Sequence, residues 1–195
     1  MKQQHHNRAE LVKLLQMAYS AEMGAALAYR GHWHSLTKST ERAEVRHIEA
    51  EEWLHRREVG TLLRDLAVHP RLAYEVKFFL IGTVLRWLCR LAGWFWPMYG
   101  AGRLERRNYR EYAQAADFAF DCGQTDYVNC LLSMAETEWD HECYFREKVE
   151  SHPWHNFIPL WEKTPPRASI RQNYRFYKES LCPSLPNLLE SKLAA

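Results

Sequence analysis

The chain has 195 residues and 23.2 kDa, enough for one domain with an appendage and a core of its own. Its 47% hydrophobic and 13% aromatic content excludes a disordered or fibrous chain, and 26 basic against 24 acidic residues leave a charge of only +2, which argues against nucleic acid as a partner. Five cysteines without a C-x-x-C pair argue against a disulfide framework, a structural zinc site or a thiolate-held cluster, and point to a reducing, cytoplasmic compartment.

The N-terminus, MKQQHHNRAELVK, is polar and lacks the apolar run of a secretory signal. Before residue 150 proline occurs only at Pro70 and Pro97, and Ala, Leu, Glu and Arg predominate, which predicts an all-α fold. A first helix is expected over 8–31, with Leu11, Leu15, Ala18, Glu22, Ala25, Ala26 and Tyr29 recurring at three- and four-residue steps. The SLTKST turn offers N-cap candidates, and a second helix follows to about Leu66 on a stripe of Val45, Ile48, Glu52, His55, Val59, Leu62 and Leu63. Residues 69–99 form a long crossover expected to contain its own helix. Its segment 78–96 has the length of a membrane span, but Arg86 and Arg90 in its middle would cost roughly 5 kcal/mol at a bilayer centre. A span is rejected, and peripheral contact at the inner membrane face stays open.

A third helix is expected from about Gly100 to Gly123, with Ala101, Gly102, Glu105, Asn108, Tyr109, Tyr112, Ala116 and Ala119 on one face. A fourth begins at Thr125 or Asp126 and aligns Val128, Leu131, Met134, Ala135, Glu138, His141 and Phe145. Six prolines after Ser151 predict a loop-rich tail with at most short helices, so the chain divides into a helical body, 8–150, and a tail, 151–195.

Each half of the body carries a glutamate, a hairpin and a Glu-x-x-His motif: Glu22 with Glu52 and His55, then Glu105 with Glu138 and His141. Residues equidistant from a hairpin turn face each other, and the midpoints of Glu22/Glu52 and Glu105/Glu138 fall in SLTKST and beside Asp121-Cys122-Gly123. The two residues of Glu-x-x-His project from one helix face toward a common point. Four carboxylates and two imidazoles so placed are the ligand set of a di-iron or di-manganese centre in a four-helix bundle. Without divalent cations, four carboxylates on core faces would repel one another and lose hydration. Glu44-Val-Arg-His47 matches the motif too, but pairing Glu44 with Glu22 puts the turn midpoint at residue 33, ahead of the SLTKST turn. Glu111 is a rival to Glu105 on a more polar face, and Glu105 is preferred.

The run Ala21-Glu22-Met23-Gly24-Ala25, the Glu52-Trp53-Leu54-His55 motif, Gly100 to Glu105 and Tyr112, and Glu138-Trp139-Asp140-His141 resemble the demethoxyubiquinone hydroxylase family of the ferritin-like superfamily, over roughly residues 9–147. The resemblance implies a ferritin-like four-helix bundle with a long crossover between its second and third helices. It also implies a di-iron monooxygenase that uses O₂ to hydroxylate a quinone-like ring at a membrane surface, with Glu22, Glu52, His55, Glu105, Glu138 and His141 as metal ligands. Two features depart from the family pattern: Leu104-Glu105-Arg106-Arg107 lacks a second acidic residue beside the ligand, and the tail is proline-rich. The chain carries no flavin, nicotinamide or iron–sulfur signature, so an electron donor or reductase is expected as a partner, and a homo-oligomer stays open. Other expectations compatible with the ligand set are a rubrerythrin- or ferritin-like ferroxidase or peroxidase, and a non-catalytic metal-binding module. A tRNA-hydroxylating enzyme is disfavoured by the near-neutral charge. Cys143, two residues past a ligand, is expected to be an inert buried thiol.

Overall fold

A computed structural model describes residues 2–181 of the chain; 182–195, the end of the expected tail, lie outside the described residues. The fold is all-α: α1 (Lys2–Ser35), α2 (Ser39–Asp65), α3 (Leu72–Leu91), α4 (Phe95–Asp121), α5 (Thr125–Glu150) and α6 (Ala168–Leu181), with a 3₁₀ turn at Pro153–Asn156. Among the described residues there is no strand, and no helix is long and apolar enough to cross a membrane.

The turns follow from local chemistry, with two surprises. Gly123 ends α4 as expected, at φ 86°, while the amides of Gly123 and Gln124 bond back to Phe120 and Ala119. The corresponding position after α2 is Ala67, at φ 56°, a left-handed conformation that glycine adopts at less cost. No hydroxyl of SLTKST caps α2: Lys38 holds the N-cap position, while Ser39 and Thr40 already lie in the first turn.

Helices α1 and α2 pack side by side, as do α4 and α5; α1 also meets α4 and α2 meets α5. This creates two apolar clusters. One holds Leu11, Leu15, Val59, Leu63, Ala116, Leu131 and Met134; the other holds Tyr29, Val45, Ile48, Phe95, Met98, Phe145 and Val149. On every helix the predicted ligand falls between the residues of the two clusters, as Glu52 lies between Ile48 and Val59, so a polar layer crosses the middle of the core.

The crossover helix α3 packs chiefly against α1. Gly24, Gly31 and Gly82 let the two backbones touch: a Cβ on Gly82 would lie 2.6 Å from the Gly24 carbonyl oxygen. Away from α1 the helix exposes Leu72, Val76, Phe79, Val84, Trp87 and Leu91, with Trp96 beyond it. Its N-terminal half is tied down by Glu75, which accepts bonds from Ser20 of α1 and Arg56 of α2.

Element boundaries differ from the sequence expectation at three places. α1 extends well beyond 8–31 at both ends, because its polar N-terminal turns include Asn7, buried and bonded by Gln3. α4 begins at Phe95, before Gly100; Pro97 sits in its first turn, where a missing amide hydrogen costs nothing. The tail carries more helix than its prolines suggested, since between Pro166 and Pro183 nothing interrupts α6. It is also bound to the body. Trp161 is buried against Gly102, its indole donating to Glu142, and Arg146 donates to the carbonyls of Trp161 and Glu162. Arg167 pairs with Asp140 and Arg171 with Glu136, both on α5.

Candidate metal centre

All six predicted residues meet at one place, and all are buried. Glu22, Glu52, His55 and Glu138 each offer an atom to one group, and Glu52, Glu105, Glu138 and His141 to a second; within each group these atoms lie within 4.8 Å of one another. Glu52 and Glu138 therefore belong to both groups. The geometry is that of two adjacent positions, each with its own glutamate and histidine, spanned by two shared carboxylates.

The donors around these groups are few. His55 Nδ1 lies 2.9 Å from Glu138 Oε1, and His141 Nδ1 faces Glu52 and Glu138 at 3.5 and 3.4 Å. Tyr112 donates its hydroxyl to Glu22 and Tyr29 donates to Glu105, while Asn108 Nδ2 reaches the second Glu105 oxygen at 2.9 Å. Four carboxylate oxygens remain without a partner: Glu22 Oε2, both oxygens of Glu52, and Glu138 Oε2, along with His141 Nδ1. The comparison with the other buried glutamates is decisive. Glu41 accepts from Lys38 and Trp94, Glu49 from Arg30 and Trp33, and Glu142 from Arg146, Trp161 and Thr164, so each has both oxygens satisfied. Among the described residues, the buried carboxylate oxygens left without donors all belong to the central layer, on Glu22, Glu52 and Glu138, whereas Glu105 in that layer has both oxygens bonded. Orphaned oxygens and an orphaned imidazole nitrogen facing one another are the lone pairs a cation would take.

Protonation follows the same logic. Burial pushes the Glu52 carboxyl well above the usual carboxylate range, with the charges of Glu138, Glu22 and Glu105 adding to it. Burial and Glu138 do the same to Glu105 and Glu22. Burial alone would also raise Glu138, but the two imidazoles against it hold it low. Those imidazoles move up in return: burial opposes their charge, yet Glu138 raises His55, and Glu138 with Glu51 raises His141 to about 10. Without metal the layer holds protons where a cation would otherwise supply the positive charge.

The competing assignments resolve cleanly. Glu44 and His47 are exposed, and Glu111 is half-buried, paired with Arg107 and outside both groups. Compared with protein families, with curated proteins and with solved structures, the chain matches none. The resemblance therefore rests on its motifs, and the centre on its geometry.

Sequence reasoning missed Glu51. Its Oε2 lies 2.8 Å from His141 Nε2, so it fixes the ring with Nδ1 turned toward the carboxylates. An adjacent acidic pair, Glu51-Glu52, was visible, but the partner is 90 residues away on another helix. Glu51→Gln is expected to keep the fold and to weaken metal binding at the His141 position about 10- to 100-fold, measured by competition with a chelator. Equal affinity in variant and native protein would remove Glu51 from the centre. Cys143 is half-buried, with its thiol pushed up to about 12 by burial and the neighbouring Glu142, consistent with an inert thiol; all four described cysteines are free.

Proposed function

We propose that the protein is a di-iron monooxygenase of ferritin-like architecture, in which α1, α2, α4 and α5 form the four-helix bundle and α3 is the crossover. Two iron ions, with manganese as the other candidate, would be held by Glu22 and His55, by Glu105 and His141, and by the shared Glu52 and Glu138. The observation that carries this reading is the contrast between the orphaned oxygens of Glu22, Glu52 and Glu138 in the central layer and the fully bonded carboxylates of Glu41, Glu49 and Glu142 outside it. An all-oxygen and imidazole donor set without thiolate suits iron or manganese.

If bound, an iron pair would supply the redox chemistry for dioxygen activation, in which one oxygen atom would enter the substrate as a hydroxyl and the other leave as water, with two electrons and two protons from an external donor. The protein's own contribution is to hold and orient. Tyr112 and Tyr29 fix the terminal carboxylates Glu22 and Glu105, Asn108 supports Glu105, and Glu51 sets the tautomer of His141. Two apolar clusters above and below the layer keep bulk water out. An aromatic or quinone-like substrate is favoured by the exposed apolar face of α3, which suits a lipid interface where such a substrate partitions, and Arg86 and Arg90 suit its headgroup region. Electrons come from a separate donor.

Anaerobic titration with ferrous iron tests the reading: two ions per chain are expected in the native protein, with affinity falling from pH 8 to pH 6, because the raised carboxyls and imidazoles must lose protons to bind. Oxygen consumption coupled to a hydroxylated quinone-type product then identifies a monooxygenase. Consumption with no organic product would assign a ferroxidase or peroxidase instead, and binding without turnover a metal-binding module. Failure to bind any iron or manganese would overturn the centre itself.

A further inference from the structure

The seam between α1 and α4 is not closed. A narrow cavity of about 20 Å³ runs along it, which is room for about one water. Its apolar walls are Leu14, Leu15, Ala18 and Ala21 of α1 and Ala115 of α4, and Asn108 of α4 also lines it. Three of these five apolar residues are alanines, whose small side chains leave a gap that larger ones would fill. Glu22 and Tyr112, both buried, also line it, and Glu22 Oε2 has no hydrogen-bond partner. Half-buried Glu111 lies toward solvent, its Oε1 drawn aside by Arg107 Nε at 2.6 Å.

We propose that this seam is the port through which dioxygen reaches the Glu22 side of the centre, an inference that rests on the di-metal reading above. Its size admits a diatomic molecule and excludes an aromatic ring, so the small reactant and the organic one take different routes. Its alanine and leucine walls favour a neutral molecule over a hydrated ion. Glu111, a rival ligand in the sequence, gains a place at the half-buried end of the lining, paired with Arg107.

Ala18→Leu, which adds three carbons to the wall, and Leu14→Ala, which removes three, test the port in opposite directions. Each variant and the native protein are loaded anaerobically with ferrous iron and mixed in a stopped-flow instrument with nitric oxide, a diatomic stand-in for dioxygen. The expected result is binding at least 10-fold slower in Ala18→Leu and faster in Leu14→Ala, with two irons per chain in all three. Unchanged rates at unchanged iron content would overturn the port and leave the centre standing, whereas no iron in the native chain would overturn the centre. If Ala18→Leu fails to fold, Leu14→Ala decides alone: a rate equal to native sinks the proposal.

Discussion

Glu52→Leu is expected to raise the melting temperature of the metal-free protein and to abolish its metal-dependent rise. Glu52 is fully buried and neither of its oxygens has a partner, while its carboxyl is forced toward the neutral form by burial and by three neighbouring carboxylates. Each unsatisfied buried polar group costs about 1–3 kcal/mol. Leucine is close to glutamate in volume, is as good a helix former, and would join Ile48 and Val59 on the same stripe. A gain of about 2 kcal/mol corresponds to roughly 4–8 °C for a chain of this size. With iron or manganese present the order reverses, because the native protein gains binding energy that the variant, lacking a shared ligand, cannot. Glu138→Leu should behave differently: Glu138 is bonded by His55, so its removal strands that buried imidazole and lowers stability with or without metal. Thermal melts of the three proteins, with and without ferrous iron, check this. A metal-free Glu52→Leu protein that melts below native would mean that Glu52 is part of the scaffold and not a residue kept at the expense of stability for a ligand.

That conflict between stability and function is also why the centre was legible in the sequence. Carboxylates on core stripes break the helical pattern at Glu22, Glu52, Glu105 and Glu138, and the breaks recur at matched distances from two turns, so periodicity locates them without knowledge of packing. The same reasoning chose Glu52 over Glu44 and Glu105 over Glu111, and the structure buries the chosen pair and leaves the rivals outside. Contacts between elements unrelated by a turn left no such trace. Glu51 meets His141 across two helices, and Trp161 and Thr164 reach Glu142 on α5 from a segment whose prolines suggested a loop-rich tail. Ala67 in a left-handed conformation was equally invisible, because sequence signals for that geometry depend on glycine or asparagine.

Gly31→Ala is expected to destabilise the protein, and Gly100→Ala to stabilise it, although both replace glycine by a better helix former within a helix. Intrinsic propensity favours alanine by about 1 kcal/mol at each position. At Gly100, nothing lies within 4 Å of the added Cβ, so the full gain should appear. At Gly31, the Cβ would fall 2.0 Å from the Arg86 carbonyl oxygen and 2.6 Å from the Arg86 Cα. These are backbone atoms of α3, so relief requires the whole helix to move, and overpacking of this kind costs about 1–3 kcal/mol or more. The movement is resisted further along by Glu75, bonded to Ser20 and Arg56, and by the Gly24–Gly82 contact, so α3 would pivot outward at its C-terminal end. Limited proteolysis should therefore show faster cleavage around Arg86 and Arg90 in Gly31→Ala, together with a melting temperature several degrees below native, whereas Gly100→Ala should melt higher and be cut no faster. Because none of the six candidate ligands comes from α3, a stoichiometry of two irons per chain, if found in the native protein, should persist in both variants. Loss of iron in Gly31→Ala would mean that the seating of α3 on α1 also positions Glu22.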